Sequence, residues 1–235
     1  MKLLLISNST NYNEKYLEWP RPFINSFLNE QYPEALFIPY AGVTVSWDDY
    51  AEKVKTVFSD FKCNISSVHK EKNPIEAVYE AKLIIIGGGN TFNLVKLLHK
   101  ENLMKIIREK VLRGVPFIGW SAGANVACPT MKTTNDMPIT QPASFDCLNL
   151  VPFQINPHYI DFNPEGHGGE TREQRILEFL ELNKNVKVVG LRESSLLKID
   201  NNKMYLEGYR NMRLFEYAKT PQEFVPGSDL SFLIN

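Results

Sequence analysis

Three cysteines in 235 residues, with no Cys-x-x-Cys spacing, leave no disulfide framework and no thiolate metal cage. Cys63, Cys128 and Cys147 are far apart and read as small buried hydrophobes in a reducing, cytoplasmic compartment. Long apolar runs are also missing. The first one, Leu3 to Ile6, is too short for a signal-peptide core, and nothing approaches the roughly 18 apolar residues of a membrane span. Charge of one sign is lacking too: 26 basic side chains face 27 acidic ones, a net charge of -1. That balance offers no basic patch for nucleic acid or an anionic membrane surface. Neither the Gly-x-Gly-x-x-Gly nor the Walker spacing occurs. No linker, repeat or low-complexity segment divides the chain, so residues 1–235 read as a single α/β domain, with no metal or cofactor expected.

What is present is alternation. Short apolar runs at residues 2–7, 35–41, 64–69, 82–86 and 115–120 read as strands. Between them, helical patterns cover 14–31 (interrupted by Pro20 and Pro22), 47–61, 74–81, 91–100 and 103–113. This is the signature of βαβ units on a mostly parallel sheet with helices on both faces. Further on, 153–158 and 186–191 read as strands around a helix at 171–183. Residues 196–199 and 203–208, joined by Asp200-Asn201-Asn202, read as a β-hairpin to which 212–217 is expected to add.

The chemistry centres on Gly119-Trp120-Ser121-Ala122-Gly123, which meets the Gly-x-Ser-x-Gly pattern between an apolar strand and a small-residue helix start. A sharp turn there exposes a serine oxygen, and its neighbours must be small because chain segments crowd. A serine hydroxyl needs a base. Of four histidines, His99 and His69 sit among charged surface residues, whereas His158 ends an expected strand at the sheet edge where Ser121 should lie. His167, in a glycine-rich loop, is the second choice. An acid should orient the imidazole, and Asp136 and Glu193 both qualify on position alone. The Gly87-Gly88-Gly89-Asn90 loop follows a buried strand, so the Gly89 amide, paired with that of Ala122, can serve as an oxyanion hole.

Seven segments carry a wider resemblance. They are residues 6–10 (Ile-Ser-Asn-Ser-Thr), 37–44, 87–92, 119–125, 133–138 (Thr-Thr-Asn-Asp-Met-Pro), 155–158 (Ile-Asn-Pro-His) and 166–175, spanning most of the chain up to about Glu193. Together they resemble the peptidase E (α-aspartyl dipeptidase) family of serine peptidases, and more distantly the cyanophycinases. The resemblance implies a class I glutamine amidotransferase-like α/β fold and metal-free hydrolysis of dipeptides with an N-terminal aspartate (Asp-Xaa). By motif it makes Ser121 the nucleophile and His158 the base. Asp136 falls on an acid sometimes assigned to the relay, and Glu193 on the acid that family structures place behind the histidine. Here Arg192 precedes Glu193 and Ser194-Ser195 follows, where a relative has proline and glycine. The expected division is that Glu193 orients His158, while Asp136 faces the substrate amine or supports its loop. Arg172, Arg175 and His167 are candidate ligands for the substrate aspartate, because arginine can bind a carboxylate bidentately. Two other classes of function remain: an α/β-hydrolase-type esterase and a non-catalytic amidotransferase-like binding module. An esterase of that fold places its histidine after the acid, whereas here Glu193 follows every histidine.

Overall fold

The structure, a computed structural model, describes residues 1–29, 34–163, 166 and 168–234. In chain order its elements are β1 (Lys2–Ile6), α1 (Arg21–Leu28), β2 (Glu34–Ile38), α2 (Trp47–Ser59), β3 (Asn64–Ser67), α3 (Pro74–Glu80) and β4 (Ile84–Ile86). Then follow α4 (Thr91–Lys100), α5 (Leu103–Leu112), β5 (Phe117–Trp120), α6 (Ala122–Asn125), β6 (Gln154–Tyr159) and α7 (Arg172–Leu182). The last are β7 (Val188–Arg192), β8 (Ser195–Asp200), β9 (Lys203–Gly208), β10 (Met212–Phe215) and β11 (Gln222–Phe224).

Seven strands form one sheet in the order β3-β2-β4-β5-β1-β8-β9. The first five are parallel, and the β8–β9 hairpin closes the edge antiparallel to β1. Alternate side chains feed two cores, as the two-residue period of a strand requires. Leu3, Leu5, Ile84 and Ile86 pack with α3, α4 and α5 on one face. Leu4, Ile6, Ile85 and Trp120 pack with Ile24 and Phe27 of α1 and Val54 and Phe58 of α2 on the other. Burying each large apolar side chain contributes roughly 1.5–3 kcal/mol. The expected mostly parallel α/β sheet with helices on both faces and a C-terminal hairpin is therefore observed. No described helix is long and apolar enough to cross a membrane.

The structure departs from the sequence reading in three places. Among the described residues of the 14–31 stretch only Arg21–Leu28 is helical, because Pro20 caps it and Pro22 occupies its first turn. Residues 153–158 and 186–191 do not join the main sheet. As β6 and β7 they form a separate four-stranded sheet with β10 and β11. Met212–Phe215 consequently pairs with β7, not with the hairpin. An apolar run reports that a strand is buried and is silent about its partner. The small sheet packs one face on the main core, through Ile155, Val189, Leu191 and Met212. Its other face meets Ile176 and Leu180 of α7.

The strand order places a crevice. The chain runs from β2 to β3 in one direction and then turns back through β4 and β5, so α2 and α4 lie on opposite faces. The loops after β2 and β4 must part, and ligands settle at such switch points beyond the carboxyl ends of strands.

Candidate active site

Ser121 follows β5 directly and leaves it with φ +53° and ψ −112°. A non-glycine residue held there carries about 1–3 kcal/mol of backbone strain. The surroundings hold it in place: its N–H donates to Ile6 O at 3.0 Å, and its carbonyl accepts from Ala124 and Asn125 N–H at 3.0 and 2.9 Å. Gly123 permits the turn, since a β-carbon there would lie 2.1 Å from the Ile86 carbonyl oxygen.

The Ser121 hydroxyl Oγ lies 2.9 Å from His158 Nε2, and His158 Nδ1 lies 2.8 Å from Glu193 Oε1. His158 sits at a bulge near the end of β6, between Pro157 and Tyr159, with φ +52°. Glu193 follows β7. The hydrogen bond from His158 is the main reason the Glu193 carboxyl is held below its ordinary range, against the opposing effect of partial burial. Arg192, the local departure noted above, points elsewhere. Its guanidinium bonds both Asp161 and Glu223.

Asp136 takes a different position. It accepts from Thr91 N–H at 2.7 Å, Thr91 Oγ1 at 2.6 Å and Thr134 Oγ1 at 3.0 Å. Asn90 Nδ2 adds a bond to Met137 O at 2.9 Å. The 133–138 loop is thereby fastened to the N-terminus of α4, where an acid also meets the helix dipole favourably.

Ser121 and His158 open into a cavity of about 580 Å³ bounded by the 41–45 and 88–90 loops. Tyr16, Tyr50 and Trp120 give it aromatic walls, Ile139 of the long 130–152 loop closes one side, and Lys53 is its one lining lysine or arginine among the described residues. Lys53 Nζ stands 4.0 Å from the Tyr16 ring centroid. The Tyr50 hydroxyl donates to Gly88 O at 3.0 Å and accepts from Trp120 Nε1 at 3.2 Å. In a trans peptide the carbonyl and the following N–H point in opposite directions, so Tyr50 also sets the direction of the Gly89 N–H. Gly89 holds φ +137°, and its N–H has no main-chain partner among the described residues. Ala122 is the first residue of α6, where an N–H has no partner within the helix.

Arg172 and Arg175 line a second cavity of about 240 Å³ with Asp136 and Asn156, and that cavity does not include Ser121 or His158. Arg172 donates to Asn135 Oδ1, which also accepts from Asn156 Nδ2 at 2.6 Å, while Arg175 pairs with Glu170 at 3.6 Å. Burial and the neighbouring Arg175 charge lower the Arg172 guanidinium from its ordinary value. His167 lies outside the described residues. Cys128, close in sequence to Ser121, is fully buried and its thiol is pushed up to about 12.

Several neighbours of this site were given no role in the sequence reading: Tyr50, Lys53, and Ser7 and Asn8 of the 6–10 segment. Ser7 and Asn8 carried one usable signal, two polar residues directly after a buried run at the carboxyl end of a strand.

Residues 3–206 match the sequence description of peptidase family S51. A peptidase E from Nostoc sp. (strain PCC 7120) is 48% identical over 233 residues, covering 99% of this chain and 96% of the relative. A peptidase E from Salmonella newport (strain SL254) is 45% identical over 216 residues, covering 92% and 94%. Among solved structures, a peptidase from an acI-B1 Actinobacterium superposes with TM-score 0.72 at 18% identity, covering 98% of this chain and 96% of that one. A candidate peptidase E protein from Listeria monocytogenes EGD-e gives 0.65 at 21% identity, covering 89% and 98%. At these identities the structures are relatives in fold.

Proposed function

The chain belongs to peptidase family S51, and from that premise we propose that it is a serine dipeptidase cleaving Asp-Xaa dipeptides. The observation that carries the reading is the unbroken contact from Ser121 Oγ through His158 to Glu193, at 2.9 and 2.8 Å. In this mechanism Ser121 attacks the carbonyl carbon of the N-terminal aspartate while His158 Nε2 takes the hydroxyl proton. The oxyanion rests on the Gly89 and Ala122 amides. His158 then returns the proton to the leaving amine, which departs and leaves an acyl-enzyme. Water, deprotonated by the same imidazole, releases aspartate. Glu193 holds the Nδ1 proton and the ring orientation throughout. Asp136 supports the 133–138 loop.

The test is cleavage of Asp-Leu, Asn-Leu, N-acetyl-Asp-Leu and a simple ester with EDTA present. Asp-Leu is expected to be cleaved much faster than Asn-Leu, with N-acetyl-Asp-Leu and the ester left intact. Hydrolysis of the ester without the dipeptide would sink the reading in favour of an esterase.

The substrate aspartate needs a cation. By motif Arg172 and Arg175 are the candidates for that role, although they line a cavity separate from that of Ser121. Lys53 lines the Ser121 cavity itself. A hydrogen bond to a charged group contributes about 1.5–3 kcal/mol, so losing the correct cation should lower kcat/KM for Asp-Leu about 10- to 100-fold and leave Asn-Leu nearly unchanged. Measuring both substrates with Lys53→Met and Arg172→Met shows which side chain carries the preference.

A further inference from the structure

We propose that Ser7 and Asn8, which follow β1, are positioning residues for the His158–Glu193 pair and set the turnover rate without touching substrate. The proposal rests on the serine-hydrolase reading above and concerns a different part of the molecule. Ser121 is carried by the seven-stranded sheet, whereas His158 and Glu193 are carried by the four-stranded one. Something must hold the two sheets in register at the site to within a fraction of an ångström, because a misplacement of about 1 Å can cost about 100-fold in rate.

Ser7 and Asn8 are placed to do this, and both side chains are buried. The Ser7 hydroxyl donates to Leu191 O at 2.7 Å and accepts from His158 N–H at 2.9 Å, so one oxygen ties β1 to the ends of both β6 and β7. The bulge between Pro157 and Tyr159 takes His158 out of the β6–β7 register, and the Ser7 oxygen supplies the partner its N–H lacks. Asn8 does the same one step further on. Its Oδ1 accepts from Ser194 N–H at 2.8 Å, directly after Glu193. Its Nδ2 donates to Thr10 O at 3.0 Å and Asn11 Oδ1 at 2.8 Å, which fixes the amide with its oxygen toward Ser194. His158 and Ser194 both hold positive φ, +52° and +65°. The two consecutive side chains therefore each clamp a left-handed, non-glycine residue, one the base itself and one the neighbour of the acid. Such conformations persist only where the surroundings over-determine them.

Three measurements on Ser7→Ala, Asn8→Ala and Asn8→Asp test this: steady-state cleavage of Asp-Leu, the rate at which a fluorophosphonate labels Ser121, and the downfield proton resonance of the His158–Glu193 hydrogen bond. Glu193→Gln assigns that resonance by removing it. For Ser7→Ala and Asn8→Ala, kcat and the labelling rate should fall about 10- to 100-fold, with KM within about two-fold of the parent. The resonance should broaden or shift while circular dichroism shows a folded chain. Asn8→Asp keeps the acceptor for Ser194 N–H but loses the donor to Thr10 O and Asn11 Oδ1, and should recover part of the rate lost in Asn8→Ala. Unchanged kcat and labelling in folded variants would overturn the proposal, as would equal losses in Asn8→Asp and Asn8→Ala. If Ser7→Ala does not fold, the Asn8 pair decides alone. Failure of the dipeptidase reading shows instead as a parent protein that labels at Ser121 but cleaves no Asp-Leu.

Discussion

Ser121→Ala is expected to lower kcat/KM for Asp-Leu by about 10⁴-fold or more, the order seen when a serine nucleophile is removed from a working relay. The loss should be in turnover and not in folding. Alanine keeps the β-carbon, so the strained φ of +53° and the bonds from the Ser121 backbone to Ile6, Ala124 and Asn125 are unchanged. Among the described residues, the one side-chain hydrogen bond lost is that to His158 Nε2. Binding should survive, because the walls of the cavity belong to other residues. Isothermal titration of the variant with Asp-Leu, alongside steady-state kinetics, checks both halves. A variant that binds but still turns over at more than about one-hundredth of the parent rate would remove Ser121 from the mechanism.

The second large effect separates the two acids. Glu193→Gln should lower kcat by about 10²- to 10⁴-fold, since an amide cannot stabilise the imidazolium and can favour the wrong tautomer. Its half-exposed position argues for the lower end. Asp136→Asn should leave kcat within about ten-fold and act through the loop and α4, because its partners are Thr91 and Thr134. If Asp136→Asn proved the more damaging to kcat in a folded protein, the assignment of roles would reverse. Acid behaviour gives an independent check. The Glu193 carboxyl is held low in the folded chain. Its contribution to stability is therefore present above the roughly 4.3 of an unfolded glutamate and is lost as pH falls through its lower folded value. Glu193→Gln should show a shallower loss of stability on acidification than the parent, read by denaturant titration at a series of pH values.

Much of this was legible in the sequence, for identifiable reasons. The parallel sheet announced itself because strands buried on both faces, such as Ile84-Ile85-Ile86, are apolar throughout and alternate with amphipathic helices. Ser121 was legible because a sharp strand-to-helix turn demands small neighbours, and Gly119, Ala122 and Gly123 supply them. His158 and Glu193 were found by their places after apolar runs, although those runs build a different sheet from the one assumed. The sequence favoured Glu193 over Asp136 only slightly because both are loop carboxylates, and only the fold shows that one meets an imidazole and the other a helix start. Ser7, Asn8 and Tyr50 were missed for another reason. Each acts on a backbone group of a distant segment, across 151, 186 and 38 positions of chain, and local pattern carries no trace of such pairings. Arg172 and Arg175 were placed together on α7 correctly, but their cavity lies apart from Ser121.

The division of Ser121, His158 and Glu193 between two sheets has a consequence for how the protein wears out. Regions of a fold open locally at free energies below that of global unfolding. A brief loosening of the four-stranded sheet would carry His158 and Glu193 away from Ser121 while the seven-stranded sheet kept its pairing and the core under α1 and α2. Enzymatic competence then reports the docking of one subassembly on another, and heat should silence the catalyst before it melts the scaffold. Mutations that tighten the seam between the sheets would lengthen its working life without raising the melting point of the larger sheet.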